Sequence, residues 1–348
     1  MVKIESYRDD ILRIFNEDLP LSLLSGCNIL VTGATGLIGG CLVEALMMNP
    51  QRDYCVYASG RDINKGLLRF SSYKNDSSFH FISYDVTKPL SLNVNFDYII
   101  HAASYASPNY FAKKSVEVIK ANIYGVSNLM EYGLGHGMKR MLYVSSGEIY
   151  GEGDGRVFTE DYSGYVNCAT VRSCYPSSKR AAETLCVSYA SEYGADVVIA
   201  RPCHTYGPYF SKHDNRVYAQ FLRNVLDDED IVMKSTGEQF RSWCYVVDCV
   251  SALLYILLKG KNCEAYNIAD DTSNVRIREL ADMIALIGGK KVVVELPNAI
   301  ERKGFGVIKK AIFSNKKLSD LGWHNKTSIF DGLRKTICEI RNSESGNK

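Results

Sequence analysis

Along most of the chain, short apolar runs alternate with longer segments whose apolar residues recur at helical spacing. Six runs are predicted strands: "NILVTG", "YCVYAS", "FHFISYDV", "FDYIIHAAS", "RMLYVSS" and "ADVVIARP". Helical patterns such as "SVEVIKANIYGVSNLMEYGL" and "SKRAAETLCVSYASEYG" separate most of them. Strands that alternate with helices predict an α/β fold with a doubly wound parallel sheet, because right-handed crossovers cover both sheet faces.

Composition and charge are typical of a soluble globular protein. The 348 residues are 46% hydrophobic and 23% charged, and the net charge of +2 predicts neither nucleic acid nor a membrane surface as a partner. The eleven cysteines include no C-x-x-C pair and no Cys/His cluster, which predicts a reduced setting and no metal site. The N-terminus has no signal pattern, and the most apolar window, "ALLYILL", is too short to cross a bilayer. We therefore expect a cytoplasmic protein.

The stretch "VTGATGLIGG" places three glycines, Gly33, Gly36 and Gly39, between the first predicted strand and a helix. Glycines at this spacing allow a tight turn and a close approach of the backbone to a pyrophosphate. The helix that follows directs its N-terminus at the same anion. Together with the alternating pattern downstream, the stretch predicts a dinucleotide-binding site.

The end of the second predicted strand, "YASGRD", discriminates between the two nicotinamide cofactors. Ser59 stands where an acidic residue would accept hydrogen bonds from the adenosine ribose, and Arg61 follows. A hydroxyl and a guanidinium suit a 2′-phosphate, so NADP(H) is favoured and NAD is the alternative. Asp62 follows the end of the strand by a few residues and could still reach the adenosine ribose. Asp85 and Val86, after the third strand, are placed to touch the adenine, although Asp85 also suits a turn.

Tyrosine followed four residues later by lysine occurs four times, but only Tyr175/Lys179 opens a helix after a strand that ends in serine. Positions i and i+4 share one helix face, which brings the ammonium to the phenol. We expect the ammonium to lower the pKa of Tyr175 from its usual value of about 10 and make it a proton carrier. Ser146 would hold the reacting oxygen, and this set suits hydride transfer between a nicotinamide and a carbinol or ketone.

At this point the sequence resembles a known family. "GATGLIG", "HAAS", "SSGEIYG", "YPSSK" and "RPCHTYGP" occur in the order found in extended short-chain dehydrogenases/reductases that act on nucleotide-sugars. The resemblance covers residues 26–340. "HAASYASPNYF" looks most like UDP-glucuronate decarboxylases, and the whole chain also resembles dTDP-glucose 4,6-dehydratases and related 4-ketoreductases. The resemblance implies a Rossmann fold, an NAD(P)-dependent enzyme and a nucleotide-diphosphate sugar as substrate.

The resemblance also implies site residues. Ser146, Tyr175, Lys179 and Glu148 form the expected catalytic group. The expected cofactor-binding residues are Gly33, Gly36, Leu37, Ile38, Gly39, Ser59, Arg61, Asp85, Val86, Ala102, Ala103, Tyr175 and Lys179. The expected substrate-binding residues are Ser107, Glu148, His204, Arg216 and Arg241, with the two arginines on the diphosphate. His204 departs from the family's usual Asn, and it suits either a phosphate contact or packing.

Gly147 is the informative departure within "SSGEIYG". The resemblance places Asp there in 4,6-dehydratases, where it protonates the leaving hydroxyl, and usually Ser in the decarboxylases. Glycine donates no proton, so elimination of water is not expected, while Glu148 remains as a carboxylate near the sugar. A recycling enzyme keeps its NAD, whereas a reductase draws fresh NADPH. We therefore expect an NADPH-dependent 4-ketoreductase of a nucleotide-activated 4-keto-6-deoxyhexose, serving polysaccharide or glycoside biosynthesis.

Other functions stay open at this stage. One alternative is a UDP-glucuronate decarboxylase-like enzyme, or an epimerase or dehydratase with recycled NAD. Another is a nicotinamide-binding sensor without turnover, since Rossmann domains also serve such roles. The resemblance further implies a homodimer through the helix after the fourth strand and the Tyr175 helix.

The predicted organisation has four parts. Residues 1–25 are an N-terminal helical extension, and residues 26–205 are the dinucleotide-binding domain. Residues 206–340 are mostly a smaller C-terminal α+β lobe for the substrate, from which helix 246–259 returns to the main sheet. Residues 341–348 are expected to be a disordered tail.

Overall fold

The structure is a computed structural model that describes residues 6–211, 214–295 and 309–345. The strands are β1 (Asn28–Thr32), β2 (Cys55–Gly60), β3 (Phe79–Ser83), β4 (Tyr98–His101), β5 (Arg140–Val144), β6 (Val197–Pro202), β7 (His204–Tyr206), β8 (Ile231–Met233), β9 (Phe240–Tyr245), β10 (Ala265–Ile268), β11 (Asn274–Arg276), β12 (Val292–Val294) and β13 (Lys310–Ala311). The helices are α1 (Tyr7–Arg13), α2 (Leu37–Met48), α3 (Ile63–Arg69), α4 (Pro108–Lys113), α5 (Ser115–Gly135), α6 (Cys174–Tyr193), α7 (Val217–Leu226), α8 (Val246–Lys259), α9 (Ile277–Gly288), α10 (Lys316–Ser319) and α11 (Ile329–Ser345). Short 3₁₀ turns occur at Ile14–Asn16, Leu21–Leu24, Ser71–Tyr73, Gly147–Tyr150 and Val171–Ser173.

A seven-stranded parallel sheet with the order β10-β6-β5-β4-β1-β2-β3 forms the centre of the protein. The strand order runs outward from β1 through β2 to β3 and then resumes at β4 on the other side of β1. The carboxyl ends of β1 and β4 therefore flank a topological switch point, where open α/β sheets bind their ligands. The predicted doubly wound α/β fold is confirmed, and β10 is a seventh strand that the sequence pattern did not predict.

Successive residues of the central strands alternate between two buried clusters, as the period of two in a strand requires. Ile29 and Val31 of β1 belong to the cluster that includes α2 and α8, whereas Leu30 belongs to the cluster that includes α5 and α6. Because both faces are covered, the strands are almost entirely apolar and read as continuous runs.

The C-terminal part forms smaller sheets. Strand β9 pairs with β7 and β13 in parallel and with β11 antiparallel, while β8 pairs with β12. Helix α8 packs against α2 and against β5 and β6 of the main sheet, and β10 joins that sheet beside β6. Residues 341–345, expected in a disordered tail, instead continue α11, and residues 346–348 lie outside the described residues.

The N-terminal extension is tied to the far end of the chain. Helix α1 begins with a capping box between Ser6 and Asp9. On α1, the buried Asp10 accepts a hydrogen bond from the buried Lys335 Nζ of α11 at 2.6 Å. A buried ion pair of this kind is costly to break, because losing one partner leaves a charge in an apolar environment. Within the described ranges, no helix is both long and apolar enough to cross a membrane.

Candidate active site

Only glycine fits at one position of the turn between β1 and α2 and at one position in the first turn of α2. Gly33 has φ +71°, and a Cβ there would lie 2.7 Å from the backbone of Ala102 and Ala103. A Cβ on Gly39 would lie 2.4 Å from the carbonyl oxygen of Gly33. Gly36 caps α2, and no described side chain bonds the first backbone N–H groups of that helix. The turn therefore fits a dinucleotide pyrophosphate held at the helix N-terminus.

A cavity of about 800 Å³ opens in front of this turn, within the size range of small-molecule sites. Every predicted cofactor-binding residue other than Tyr175 and Lys179 lines this cavity, and so do two predicted substrate-binding residues, Ser107 and Arg216. Its lining includes Gly33, Gly36, Leu37, Ile38, Gly39, Ser59, Arg61, Asp85, Val86, Ala102, Ala103, Ser107 and Arg216. Ser107 donates a hydrogen bond to Asn215 Oδ1 at 2.8 Å on the rim.

Ser59 and Arg61 present polar groups to the cavity at the end of β2. Ser59 is 1% exposed, and its Oγ has no hydrogen-bond partner among the described residues. Buried hydroxyls are normally paired, so this Oγ is suited to a ligand atom. Arg61 is exposed; its guanidinium lies 4.7 Å from the ring centroid of Tyr105 and donates to the Tyr105 hydroxyl.

The two nearby carboxylates, Asp62 and Asp85, both accept hydrogen bonds from backbone N–H groups. Asp62 caps α3 by accepting from the backbone N–H of Lys65 at 3.0 Å, which is a structural role. Asp85 accepts from the backbone N–H of Thr87 at 3.0 Å and from its hydroxyl at 2.9 Å, so it forms a turn while also lining the cavity. Neither carboxylate neutralises Arg61.

Ser146, Tyr175 and Lys179 come together as the sequence predicted. Ser146 follows β5, and its hydroxyl is near enough to the Tyr175 phenol to act to lower the pKa of that phenol. Tyr175 and Lys179 lie one turn apart on α6, with Lys179 Nζ 5.9 Å from the Tyr175 ring centroid. Lys179 Nζ donates to the carbonyl of Val144 at 2.8 Å, which joins α6 to the end of β5.

The pKa of Tyr175 differs from the sequence expectation. Burial, with a smaller contribution from the carboxylate of Glu148, raises the pKa of Tyr175 to about 12 despite opposing contributions from Ser146 and nearby arginines. Burial also lowers the pKa of Lys179 to about 7, so near neutral pH only part of the amine carries the charge that was expected to act on the phenol. The four-residue spacing correctly predicted that Tyr175 and Lys179 share one helix face, but it does not indicate that the phenol and the amine are both buried.

A network that the sequence did not reveal supports this arrangement. Glu183 lies one turn beyond Lys179 on α6, is buried, and accepts from the Ser145 hydroxyl. Arg201 of β6 forms an ion pair with the same carboxylate at 2.7 Å. The network fixes the residue beside Ser146 to the helix that carries Tyr175 and Lys179.

Gly147 has a physical reason to lack a side chain. A Cβ at this position would lie 2.3 Å from the ring of Phe313, a buried residue that follows β13. The ring of Phe313 packs against Tyr150 and Phe158, with centroids 5.5 Å away in each case. The space that a side chain at position 147 would occupy is filled by an aromatic ring from the C-terminal lobe.

Glu148 is held by a partner that the sequence analysis did not single out. Arg172 donates to the Glu148 carboxylate at 2.8 Å, and both side chains are partly exposed. The guanidinium of Arg172 lies 4.8 Å from the ring centroid of Phe111, and this ring stacks on Tyr175 at 4.7 Å. The Glu148 carboxylate, the Arg172 guanidinium and the Phe111 ring therefore lie around the Tyr175 phenol.

The two arginines expected on the diphosphate, Arg216 and Arg241, both lie near His204. Desolvation and the positive charges of Arg241 and Arg216 lower the pKa of His204, although its side chain is exposed to solvent at the site. A neutral imidazole donates one hydrogen bond without adding charge. The imidazole ring of His204 lies 5.1 Å from the ring of Trp243, which is the packing role considered for it, and the phosphate contact stays a prediction. Arg216 forms an ion pair with Asp214 and also lines the cavity, which connects the two parts of the site.

The parallel sheet, the glycine turn and the Ser146, Tyr175 and Lys179 group define a dinucleotide-dependent enzyme of the short-chain dehydrogenase/reductase class. Family comparison agrees with this assignment. The NAD dependent epimerase/dehydratase family matches residues 29–269, and the chain belongs to this family. It is thus an extended short-chain dehydrogenase/reductase of the nucleotide-sugar type.

Named relatives lie in several branches of this family. UDP-glucuronic acid decarboxylase 6 of Arabidopsis thaliana is 33% identical over 312 residues, which cover 89% of this chain and 87% of the relative. The UDP-glucose 4-epimerase of Thermotoga maritima, solved with UDP-glucose, is 25% identical with a TM-score of 0.75 and covers 91% of this chain and 99% of its own. The dTDP-glucose 4,6-dehydratase DesIV of Streptomyces venezuelae, solved with NAD and TYD bound, shares the fold at 24% identity. Its TM-score is 0.80, over 92% of this chain and 98% of its own.

Proposed function

We propose that the protein is an NADPH-dependent reductase of the C4 ketone of a nucleotide-activated 4-keto-6-deoxyhexose, of the dTDP-4-keto-6-deoxyglucose type. The observation that carries the proposal is position 147, where Phe313 leaves no space for a side chain. Elimination of water and decarboxylation both occur at carbons near C4 and need proton transfers in addition to the one at the C4 oxygen. A side chain at position 147, between Ser146 and Glu148, could carry such a proton. Reduction of a ketone needs one hydride and one proton.

The residues around the phenol suit the supply of that proton. With a pKa raised to about 12, Tyr175 keeps its proton at neutral pH and can donate it to a ketone oxygen. Ser146 donates a second hydrogen bond to the same oxygen, which stabilises the negative charge that develops on it. The bound nicotinamide supplies the hydride.

The preference for NADPH is supported by the end of β2. The unpaired buried hydroxyl of Ser59 and the guanidinium of Arg61 both line the cavity, and the nearby Asp62 is engaged in capping α3. A phosphate can accept hydrogen bonds from both donors, and no adjacent carboxylate repels it. The cluster of His204, Arg216 and Arg241 likewise suits the diphosphate of a nucleotide-sugar.

The reaction is tested by incubating the protein with dTDP-4-keto-6-deoxyglucose and NADPH and following absorbance at 340 nm. We expect substrate-dependent loss of absorbance and a product reduced at C4. No oxidation of NADPH with any 4-keto nucleotide-sugar would reject the reductase. Arg61→Asp should weaken NADPH binding and leave NADH binding nearly unchanged, whereas equal loss of both would reject the role of Arg61.

A decarboxylase is the second candidate, favoured by the 33% identity to UDP-glucuronic acid decarboxylase 6. In that case, CO₂ would be released from UDP-glucuronate without added reductant, and NADPH would not be consumed. Measuring both CO₂ and NADPH in one series of assays distinguishes the two candidates. A nicotinamide-binding sensor would show neither reaction.

We further propose a homodimer formed through α5 and α6. The two helices pack against each other, and both carry large apolar side chains that are exposed. These include Val116, Ile119 and Tyr124 on α5 and Val187 on α6. Light scattering should give twice the mass of the chain, and Ile119→Asp should reduce it to the monomer mass. A monomeric wild type would reject the dimer.

A further inference from the structure

Arg61 has an unusual environment for a cation at the edge of a cavity. Within the described part of the chain it has no carboxylate partner, and its Nη1 donates to the hydroxyl of Tyr105. The guanidinium also lies over the Tyr105 ring, 4.7 Å from the centroid. A carboxylate would commonly hold an arginine in one orientation and cancel its charge. Here the Tyr105 phenol holds Arg61 in one orientation and leaves its charge available.

Tyr105 is itself fixed in place. Its ring lies 4.7 Å from the ring of Tyr110, and its hydroxyl donates to Glu117 Oε2 at 3.4 Å. Glu117 forms an ion pair with Lys114 at 3.3 Å, so its charge is shared with a second cation. The hydroxyl of Tyr105 thus accepts from Arg61 and donates to Glu117, which fixes the direction of both hydrogen bonds.

The contact between Arg61 and Tyr105 spans the mouth of the cavity. Arg61 follows β2 and Tyr105 follows β4, and these strands lie on opposite sides of β1 in the sheet. Both residues line the cavity, as does Ser59 with its unpaired hydroxyl. A ligand that places an anion between Ser59 and Arg61 meets a guanidinium whose remaining N–H groups are already oriented.

We infer that Tyr105 is a positioning residue that sets cofactor preference by presenting Arg61 to the 2′-phosphate of the adenosine half of the dinucleotide. The inference rests on the proposed preference for NADPH. It adds Tyr105 to the residues that determine this preference, whereas the sequence at the end of β2 pointed only to Ser59 and Arg61. The physical basis is preorganisation: ordering a free arginine side chain on binding costs conformational entropy, and the tether to Tyr105 removes part of that cost.

The test uses two adenosine fragments, 2′,5′-ADP and 5′-AMP, which differ only in the 2′-phosphate. Their dissociation constants are measured by calorimetry on the full-length wild type, Arg61→Ala, Tyr105→Phe and the double variant. Tyr110→Phe is the matched control, because it removes a hydroxyl from the adjacent ring, to which Arg61 makes no hydrogen bond in the described structure. No turnover is needed, so the identity of the sugar does not affect the result.

Tyr105→Phe should weaken binding of 2′,5′-ADP by about three- to tenfold, the fold-change expected for one lost hydrogen bond, and leave 5′-AMP binding unchanged. The same substitution in the Arg61→Ala background should have no further effect, because the residue acts through Arg61. The Tyr110→Phe control should match the wild type for both fragments.

Different failures have different meanings. If the wild type binds 2′,5′-ADP no more tightly than 5′-AMP, the NADPH preference itself is wrong and the inference falls with it. If the wild type has the preference and Tyr105→Phe keeps it intact, the inference alone is overturned. Equal weakening of both fragments would also overturn it, since this is the result of a purely structural role.

Discussion

The contact between Gly147 and Phe313 makes a quantitative prediction about packing. Replacing Gly147 by Ala adds one methyl group 2.3 Å from the ring of Phe313. Carbon atoms pack favourably at about 3.5–4.0 Å, so ring and methyl must separate by about 1.2 Å or more. Tyr150 and Phe158 stand against the same ring, each with its centroid at 5.5 Å, and limit that movement.

Overpacking by one methyl group in a dense core costs about 1–3 kcal/mol, and we expect Gly147→Ala near the upper end of this range. Phe313→Ala removes the ring and should cost about 3–5 kcal/mol, because a cavity remains. In the Phe313→Ala background the methyl at position 147 meets no ring. The cost of Gly147→Ala should then be close to zero, which corresponds to a coupling energy of about 2 kcal/mol between the two positions.

Urea denaturation of the two single variants and the double variant measures this coupling. Gly135→Ala is the matched control, because a Cβ at Gly135, also in a helix, would meet nothing within 4 Å. Gly147→Ala should be clearly less stable than this control. Additive effects of the two substitutions, or a Gly147→Ala variant as stable as Gly135→Ala, would refute the idea that Phe313 excludes a side chain from position 147.

Three further predictions concern the site. Tyr175→Phe keeps the ring stacked on Phe111 but removes the proton donor, so turnover should fall by about 10²- to 10⁴-fold while fluorescence titration shows unchanged cofactor affinity; a parallel loss of affinity would contradict this. Because burial lowers the pKa of Lys179 from 10.5 to about 7, the unfolded state binds more protons between these values, and wild-type stability should gain about 2–3 kcal/mol from pH 7 to pH 9 relative to Lys179→Met. Equal pH dependence of both proteins in urea denaturation would be evidence against the buried amine. Gly39→Ala places a Cβ 2.4 Å from the Gly33 carbonyl oxygen and should weaken dinucleotide binding about tenfold or more, as measured by fluorescence titration. An unchanged affinity would show that the backbone accommodates the side chain.

The features that the sequence predicted correctly are those encoded locally. The six predicted strands and the glycine turn each lie within one short segment with a clear period or spacing. The shared helix face of Tyr175 and Lys179 follows from a separation of four residues. Strand β10 was missed because its short run "AYNI" follows α8 in a region read as part of the C-terminal lobe, and only pairing with β6 reveals its place in the main sheet.

The features that sequence reasoning missed depend on contacts between distant segments. Phe313 meets Gly147, and Tyr105 meets Arg61, across separations at which periodicity carries no information. The pKa of Tyr175 was predicted in the wrong direction for a related reason. Spacing identifies the neighbouring charge, whereas the depth of burial that outweighs it is set by the whole fold.

The ion pair between Asp10 and Lys335 has a consequence for biosynthesis. The two residues are 325 positions apart, so a ribosome makes α1 early and α11 only after every other described element. Until α11 emerges, α1 has no access to one of its native contacts, and Asp10 lacks the Lys335 amine, although Arg13 of its own helix lies 3.5 Å away. Helix α1 can pack against α2 once both are made, whereas its ion pair with α11 is expected to form late during synthesis, and chaperones would meet this segment before that pair exists.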